Sequence, residues 1–175
     1  TQLTIAVIGA TGKLGRALMT MPNTISCPIR FEDADKFGQW FEENKEVDIV
    51  WYVARACRKK GTRRDFKTFM LELIAMENLL KTRAKDCRFI YASTKVVYGL
   101  TGDDVVPVKA TDLIRYFVDS ETGVYNCPTW KDNHEINLKN LARHHAIYAI
   151  TKLACERLIG KHCHNYKILR IWDIE

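Results

Sequence analysis

The stretch LTIAVIGATGKLGRALM, residues 3–19, decides the fold of this 175-residue chain. Residues 3–8 form a mainly apolar run that ends at Gly9, which is typical of a parallel strand buried on both faces. Residues 13–19 place apolar side chains on one stripe and therefore predict a helix. A buried strand, a glycine turn and a helix in direct succession indicate the beginning of an α/β fold.

Three glycines, Gly9, Gly12 and Gly15, give the turn the pattern GxxGxxG. Such a turn lets the backbone approach a pyrophosphate, and the free N–H groups at the start of the helix favour its negative charge. The position between a strand and a helix strengthens this interpretation. The alternative is a tight turn whose glycines serve packing alone. The residues predicted to bind dinucleotide phosphates are Gly9, Thr11, Gly12, Lys13, Leu14 and Gly15.

Strand and helix patterns alternate along most of the chain. Further strands are predicted at residues 24–29, 47–54, 87–92 and 166–172, and further helices at residues 35–44, at residues 65–84 and from about residue 132 to residue 162. Alternation of this kind implies right-handed crossovers and a parallel sheet covered on both sides. We therefore predict one doubly wound α/β domain over residues 1–175, with about five parallel strands and helices on both faces.

Residues 100–133 interrupt this alternation with scattered glycine, aspartate and aromatic residues and no sustained period. They leave the carboxyl end of the fourth predicted strand and carry apolar aromatic surface at Tyr116, Phe117, Tyr125 and Trp130. A connection of this length is usually functional or bound to a partner. We predict an insertion that either covers this edge as a lid or docks onto a partner subunit, with a surface loop as the alternative. No separate substrate domain is expected.

The composition, 47% hydrophobic and 27% charged, excludes a mostly disordered chain. No apolar run approaches the roughly 20 residues of a membrane span. The net charge is +6, and residues 55–64 hold six basic residues and no acidic one. Such a run binds phosphate or nucleic acid, but a solvated loop is the more common outcome. Because no aromatic residues are interleaved for base stacking, we do not expect nucleic acid as a partner.

The cysteines and the amino terminus indicate where the protein works. The amino-terminal residues lack the basic leader of a secretory signal. None of the six cysteines forms a CxxC pair, and the cluster of residues 162–164 has no second ligand pair at the spacing of a zinc finger. We therefore expect a cytoplasmic protein with free cysteines and no metal site.

Two further patterns carry chemistry. Tyr148 and Lys152 lie four residues apart, on one face of the last predicted helix. The ammonium group can lower the phenol pKa, which near 10 is otherwise too high for acid/base work at neutral pH. This spacing is common by chance, so a surface pair is the alternative. Ser93 and Thr94 end the fourth predicted strand, and ligands of open α/β sheets bind at such ends.

In this order the residues resemble the extended short-chain dehydrogenase/reductase superfamily, in particular its branch of sugar-nucleotide epimerases, dehydratases and reductases. The resemblance rests on the glycine turn, on Ser93-Thr94 with residues 97–99, on Tyr148 with Lys152, on Leu169-Arg170, and on residues 77–80. With one strand between Gly15 and Val47, the layout is most similar to the dTDP-4-dehydrorhamnose reductase type. The resemblance implies a Rossmann-type fold, an NAD(P) cofactor and a sugar nucleotide or similar carbonyl or hydroxyl substrate.

The resemblance also implies roles for individual residues. Tyr148 would be the acid/base at the substrate oxygen. Lys152 would hold the nicotinamide ribose and lower the pKa of the tyrosine. Thr94 would donate a hydrogen bond to the reacting oxygen, with Ser93 as second choice. The predicted catalytic residues are therefore Thr94, Tyr148 and Lys152.

The chain departs from the family at three places. Glu72 stands where the family often has asparagine, the gap between Thr94 and Tyr148 is longer than usual, and the sequence ends soon after residues 171–173, where the family continues into a substrate lobe. Two functions therefore stay open. One is an NAD(P)-dependent reductase or epimerase-like enzyme, and the other is a non-catalytic dinucleotide-binding or structural subunit of a larger assembly.

Cofactor choice depends on the residue that follows the second strand. An acidic residue there binds the ribose hydroxyls of NAD, whereas arginine pairs with the extra phosphate of NADP. Arg30 occupies the approximate position, and Lys13 adds a second positive charge. Glu32 and Asp33 follow closely, so a slip of one or two residues would reverse the choice. We predict NADP, with NAD as the alternative.

Overall fold

The computed structural model describes residues 2–54, 65–101, 109–110, 112, 114, 121–126 and 135–171. Their strands are β1 (Thr4–Ile8), β2 (Thr24–Cys27), β3 (Val47–Tyr52), β4 (Arg88–Thr94), β5 (Gly123–Asn126) and β6 (Tyr166–Ile171). Their α-helices are α1 (Lys13–Leu18), α2 (Phe37–Glu43), α3 (Phe66–Leu79) and α4 (Arg143–His162). Short 3-10 turns cover Phe31–Lys36, Arg83–Asp86 and Lys95–Tyr98.

All the strands join one parallel sheet in the order β2-β1-β3-β4-β6-β5. The predicted doubly wound α/β fold is therefore confirmed. β1 lies between β2 and β3, so the chain leaves β1 toward one side of the sheet and later returns to build the other side. The carboxyl end of β1 is thus the point at which the strand order reverses, where ligands of open α/β sheets bind.

Alternate side chains of each strand enter two different cores, as expected for a strand buried on both faces. Ala6 and Ile8 of β1 belong to the larger core, which α2, α3 and α4 cover. Ile5 and Val7 belong to a smaller core, which α1 covers through Leu14 and other apolar residues. Helices therefore lie on both faces of the sheet.

The sheet contains one strand more than the five that we predicted. β5 lies inside the predicted insertion and pairs with β6 at the edge of the sheet, with Val124 opposite Ile168. A segment of four residues is too short to show a period, and Gly123 has the positive φ of +148°. A segment this short that begins with glycine gives no strand pattern in the sequence.

The predicted start of the last helix is wrong. Residues 132–134 lie outside the described residues, residues 135–142 are not helical, and α4 begins at Arg143. Asn140 has a left-handed backbone with φ of +66°, which interrupts a right-handed helix. The backbone N–H of Asn137 donates to the Val97 carbonyl (3.0 Å). Residues just before the helix are therefore bound to the turn that follows β4.

Two other predicted helices are shorter than expected. The helix predicted at residues 65–84 ends at Leu79, because Thr82 is extended and its side chain accepts a hydrogen bond from the N–H of Ala84 (3.1 Å). The helix predicted at residues 35–44 is divided, since the 3-10 turn Phe31–Lys36 precedes α2.

Candidate functional site

The glycine turn between β1 and α1 contains two glycines that the fold itself requires. Gly9 has φ of +96°, and a Cβ there would lie 2.6 Å from the backbone nitrogen of Ala54. A Cβ on Gly15 would overlap the carbonyl oxygen of Gly9. Packing within the chain thus explains Gly9 and Gly15, as in the alternative interpretation of this turn.

Gly12 is different, because the described part of the chain gives no steric reason for glycine there. A Cβ on Gly12 would meet one atom within 4 Å, the carbonyl oxygen of Gly9 at an ordinary contact distance of 3.7 Å. Its φ of −76° is open to any residue. Gly12 is the N-cap of α1, no side chain caps that end, and the first turn contains no acidic residue. This part of the turn is open to a ligand that approaches the backbone closely, as a pyrophosphate does.

Arg30 lies near the same turn, beyond the end of β2. Ile8 is opposite Cys27 in the register of β1 and β2, so the residues after Cys27 run beside the glycine turn. Arg30 is exposed and is the N-cap of the 3-10 turn Phe31–Lys36. Asp33 lies inside that turn and pairs with Lys36 (3.5 Å). Arg30 therefore comes before the acidic residues that could compete for the cofactor ribose.

Ser93 and Thr94 end β4, and both are buried. The Ser93 hydroxyl donates a hydrogen bond to Oε2 of Glu156 (2.6 Å). The Thr94 hydroxyl oxygen accepts a hydrogen bond from the N–H of Val96 (3.3 Å), so Thr94 caps the 3-10 turn Lys95–Tyr98. The hydroxyl proton of Thr94 is not used in that bond, which favours Thr94 over Ser93 as a donor to a substrate.

Tyr148 and Lys152 lie on α4, against the carboxyl end of β4. The chain leaves α4 at its C-terminus to enter β6, so the N-terminal half of the helix, with Tyr148, lies toward the carboxyl edge of the sheet. Tyr148 packs against the buried cluster that contains Val96 and Val97, the residues after Thr94 and Lys95. Nζ of Lys152 lies 5.9 Å from the centre of the Tyr148 ring. The structure therefore brings Thr94, Tyr148 and Lys152 to one corner.

Lys152 is buried, with 4% of its surface exposed. Its ammonium group donates a hydrogen bond to the carbonyl of Ala92 (3.1 Å) and lies 4.9 Å from the centre of the Tyr91 ring. A hydrogen bond and an aromatic face offset part of the cost of burying this charge.

Glu72, the departure noted in the sequence, is buried on α3 near this corner. Burial raises the pKa of Cys155 to about 12, while the nearby charge of Lys152 lowers that pKa and the charge of Glu72 raises it. Burial raises the pKa of Tyr91 well above its usual range, and Glu72 adds to the effect. The Glu72 carboxyl group and the Lys152 ammonium group thus have opposite effects on the pKa of Cys155.

Sequence reasoning missed a second set of polar side chains at the same edge. Arg170 of β6 pairs with Glu156 of α4 at 2.8 Å. Tyr98 accepts a hydrogen bond from Arg170 (2.8 Å) and donates one to Asn126 of β5 (2.6 Å). Two signals could have indicated this set: Leu169-Arg170 is part of the family resemblance, and Glu156 lies one helical turn after Lys152. The sequence gives no sign that Asn126, inside the insertion, contacts them through Tyr98.

Several predictions concern residues that the structure does not describe or does not test. The basic run 55–64 and the aromatic residues Tyr116, Phe117 and Trp130 lie outside the described residues, so the interpretations built on them stay predictions. Within the described ranges, no helix combines the length and the apolar composition needed to cross a membrane. In the same ranges, no three His, Cys, Asp or Glu side chains form a group that could hold a metal. A cytoplasmic location also stays a prediction.

Comparison with known proteins identifies the fold. No protein-family model matches the sequence, and no curated protein matches it. Among solved structures, the enzyme WbmH of Bordetella bronchiseptica in complex with NAD+ has a TM-score of 0.62 and 15% identity, over 97% of this chain and 56% of that one. The dTDP-4-dehydrorhamnose reductase of Yersinia enterocolitica has a TM-score of 0.60 and 19% identity, over 97% and 52%.

RMD from Pseudomonas aeruginosa, complexed with NADPH, has a TM-score of 0.59 and 21% identity, over 97% of this chain and 53% of that one. This chain therefore spans about half the length of these structures. The likeness confirms, at the level of the fold, the resemblance to sugar-nucleotide reductases and epimerases that the sequence motifs indicated. The protein has the Rossmann-type fold of those enzymes.

Proposed function

We propose that this chain binds a nicotinamide dinucleotide at the glycine turn and acts as an NAD(P)-dependent reductase or epimerase-like enzyme. The substrate would be a sugar nucleotide or a compound with a similar carbonyl or hydroxyl group. The observation that carries the proposal is the position of Gly12, Thr94, Tyr148 and Lys152 along the carboxyl edge of one sheet. The NAD+ and NADPH complexes of structures with the same fold support it.

The residues present fit a dinucleotide. The open space at Gly12 and the uncapped start of α1 suit a pyrophosphate, because close backbone approach and free N–H groups are what such a group needs. Lys13 adds a positive charge at the same turn. Arg30 favours NADP, since a guanidinium group pairs with a phosphate, whereas a carboxylate would pair with the ribose hydroxyls of NAD.

The acid/base chemistry would fall to Tyr148. A bound dinucleotide would supply or accept a hydride at the substrate carbon. Tyr148 would give or take the proton at the substrate oxygen, with the Lys152 ammonium group beside it on the same helix. The Thr94 hydroxyl would donate a hydrogen bond to the same oxygen and orient the carbonyl group.

Glu72 favours a second candidate, a non-catalytic dinucleotide-binding or structural subunit of a larger assembly. Glu72 is buried, and its effect on Cys155 opposes that of Lys152, so a carboxyl group at this place weakens the electrostatic effect of Lys152 on its surroundings. In this case the chain would keep the cofactor turn, and a protein partner would cover the carboxyl edge.

Two measurements on the full chain separate these candidates. Calorimetry with NADPH and with NADH tests cofactor binding, and we expect NADPH to bind more tightly. A panel of keto-sugar nucleotides, each incubated with the protein and reduced cofactor, tests turnover through the loss of NADPH absorbance. Binding with turnover supports the enzyme, and binding without turnover of any member supports a non-catalytic dinucleotide-binding subunit. If neither dinucleotide binds, the enzyme and the dinucleotide-binding subunit are both contradicted.

A further inference from the structure

A buried ion pair joins α4 to β6 at the carboxyl edge of the sheet. Nη2 of Arg170 lies 2.8 Å from Oε1 of Glu156, and Nε of Arg170 lies 3.3 Å from Oε2. The two side chains are 13% and 5% exposed. This two-point geometry fixes the orientation of both groups, because the planar guanidinium fork matches the carboxylate.

The ion pair also binds Ser93 and Tyr98 directly, and it reaches Asn126 through the Tyr98 hydroxyl. Oε2 of Glu156 accepts a hydrogen bond from the hydroxyl group of Ser93 at the end of β4 (2.6 Å). Nη1 of Arg170 donates to the hydroxyl oxygen of Tyr98 (2.8 Å), and the Tyr98 hydroxyl donates to Oδ1 of Asn126 on β5 (2.6 Å). Four of these five side chains come from different elements of the fold, and Tyr98 comes from the turn that follows β4.

The register of the sheet explains how this set forms. Ser93 of β4 and Asn126 of β5 are both opposite Arg170 of β6. The three residues therefore form one row across three adjacent parallel strands, and residues of such a row point to the same face of the sheet. α4 covers that face and supplies Glu156.

The two residues that the ion pair contacts at the end of β4 and in the following turn lie on either side of Thr94. Ser93 immediately precedes Thr94, and Tyr98 ends the 3-10 turn that Thr94 caps. The ion pair thus holds both ends of the short segment formed by residues 93–98. The pairing of β4 with β6 and the hydrogen bond from the Asn137 N–H to the Val97 carbonyl also hold this segment. The ion pair adds a side-chain contact on each side of Thr94.

We propose that the Glu156–Arg170 ion pair is a clamp on residues 93–98, and that Arg170, Tyr98 and Asn126 are positioning residues for Thr94. The role of Thr94 rests on the proposed function, but the clamp itself does not. Stability alone is a weak reason for such a pair, since buried ion pairs often add little to it. Asn126 makes the strand inside the insertion part of the support for the site.

The decisive variant is Tyr98→Phe, because Arg170→Ala would leave a buried carboxylate unpaired and could unfold the protein. Tyr98→Phe removes the hydroxyl that joins Arg170 to Asn126 and keeps the ring. We expect amide hydrogen exchange in residues 94–98 and in residues 121–126 to become at least about tenfold faster, equivalent to about 1.4 kcal/mol. Tyr166→Phe, which removes a hydroxyl at the other end of β6, is the matched control and should exchange as the parent protein does.

A double-mutant cycle adds a second readout. Asn126→Ala removes the hydrogen bond to Tyr98, and Tyr98→Phe removes that bond together with the one from Arg170. The double variant should therefore exchange little faster than Tyr98→Phe alone. Once the panel has identified a substrate, kcat should be lower in Tyr98→Phe than in the parent protein, while NADPH affinity stays within about twofold of the parent value. Unchanged exchange at residues 94–98 in Tyr98→Phe would overturn the clamp.

A different result would contradict the proposed function. A parent protein that turns over no substrate contradicts the enzyme, and the exchange data then decide the clamp on their own. Faster exchange with unchanged kcat in Tyr98→Phe would contradict the positioning of Thr94.

Discussion

Nζ of Lys152 lies 3.1 Å from the carbonyl oxygen of Ala92, two residues before Thr94. The ammonium group of the helix is thereby bound to the strand that ends in the candidate hydroxyl donor. An ammonium has three protons, so this bond leaves others for a cofactor ribose. Lys152 is therefore expected to support the position of α4 against β4 as well as the chemistry of Tyr148.

Tyr148→Phe and Lys152→Met separate these roles. In Tyr148→Phe we expect turnover to fall at least about a hundredfold, because the proton donor is lost, with NADPH affinity nearly unchanged because the ring still packs. Lys152→Met should lower turnover and NADPH affinity together, and should also lower the free energy of unfolding, since the Ala92 carbonyl loses a buried partner. Steady-state kinetics, calorimetry and urea unfolding test this, and equal turnover in Tyr148→Phe and the parent would favour the non-catalytic candidate.

The glycine turn gives a prediction in which two neighbouring glycines behave differently. Gly12→Val should lower the free energy of unfolding by no more than about 1 kcal/mol, because its Cβ has room and only the poorer N-cap preference of valine acts against it. It should lower dinucleotide affinity at least about tenfold by blocking the approach of the pyrophosphate. Gly15→Ala should instead destabilise the fold by about 1–3 kcal/mol, because its Cβ overlaps a carbonyl oxygen.

Gly38→Ala is the matched control for this pair. Gly38 is in α2, and among the described residues no atom outside its chain neighbours and its own helix backbone lies within 4 Å of a Cβ placed on it. Alanine should stabilise that helix by about 0.5–1 kcal/mol and leave dinucleotide binding as in the parent. Unchanged NADPH affinity in Gly12→Val, measured by calorimetry, would contradict the cofactor site.

The turn after β1 was predictable because its signals are local. An apolar strand, glycines and a helix follow one another within residues 3–19, and neighbouring strands add the same kind of signal. The sequence therefore predicted the parallel α/β fold and placed Tyr148 and Lys152 on one helix. Which glycines serve packing could not be seen, since the contact between Gly9 and Ala54 joins residues far apart in the chain.

The features that escaped prediction depend on tertiary contacts. β5 is short and becomes a strand by pairing with β6, which comes later in the chain. α4 begins at Arg143 because residues before it bind the turn after β4, which outweighs a local capping signal. The contact of Asn126 with Tyr98 likewise requires the register of the edge strands.

Arg30 gives a prediction about cofactor preference. Arg30→Asp removes a guanidinium that would pair with the extra phosphate of NADP and puts a carboxylate in its place. We expect the ratio of the NADH Kd to the NADPH Kd to fall at least about tenfold. Lys36→Ala, which removes an exposed positive charge from the same 3-10 turn, is the control for a general effect of charge. An unchanged ratio in Arg30→Asp would place the extra phosphate elsewhere.

The buried thiol of Cys27 should make the free energy of unfolding depend on pH in the alkaline range. Cys27 ends β2, is 2% exposed, and burial raises its pKa from 9.0 to about 12. Between these values the unfolded chain has lost the thiol proton and the folded chain has kept it. The free energy of unfolding should therefore fall as pH rises from about 9 toward 12, by up to about 1.4 kcal/mol per pH unit for this thiol.

Cys27→Ala removes this linkage, so the fall in stability with pH should become shallower, although the variant starts from a lower value because the sulfur no longer packs in the core. Urea unfolding at several pH values from 8 to about 10.5 measures the slope. Ser26→Ala, at the neighbouring exposed position, should keep the parent slope. Cys155 and Cys163 have pKa values raised in the same way, to about 12, so some slope must persist in Cys27→Ala. Identical slopes in Cys27→Ala and the parent would mean that Cys27 loses its proton as readily in the folded chain as in the unfolded one.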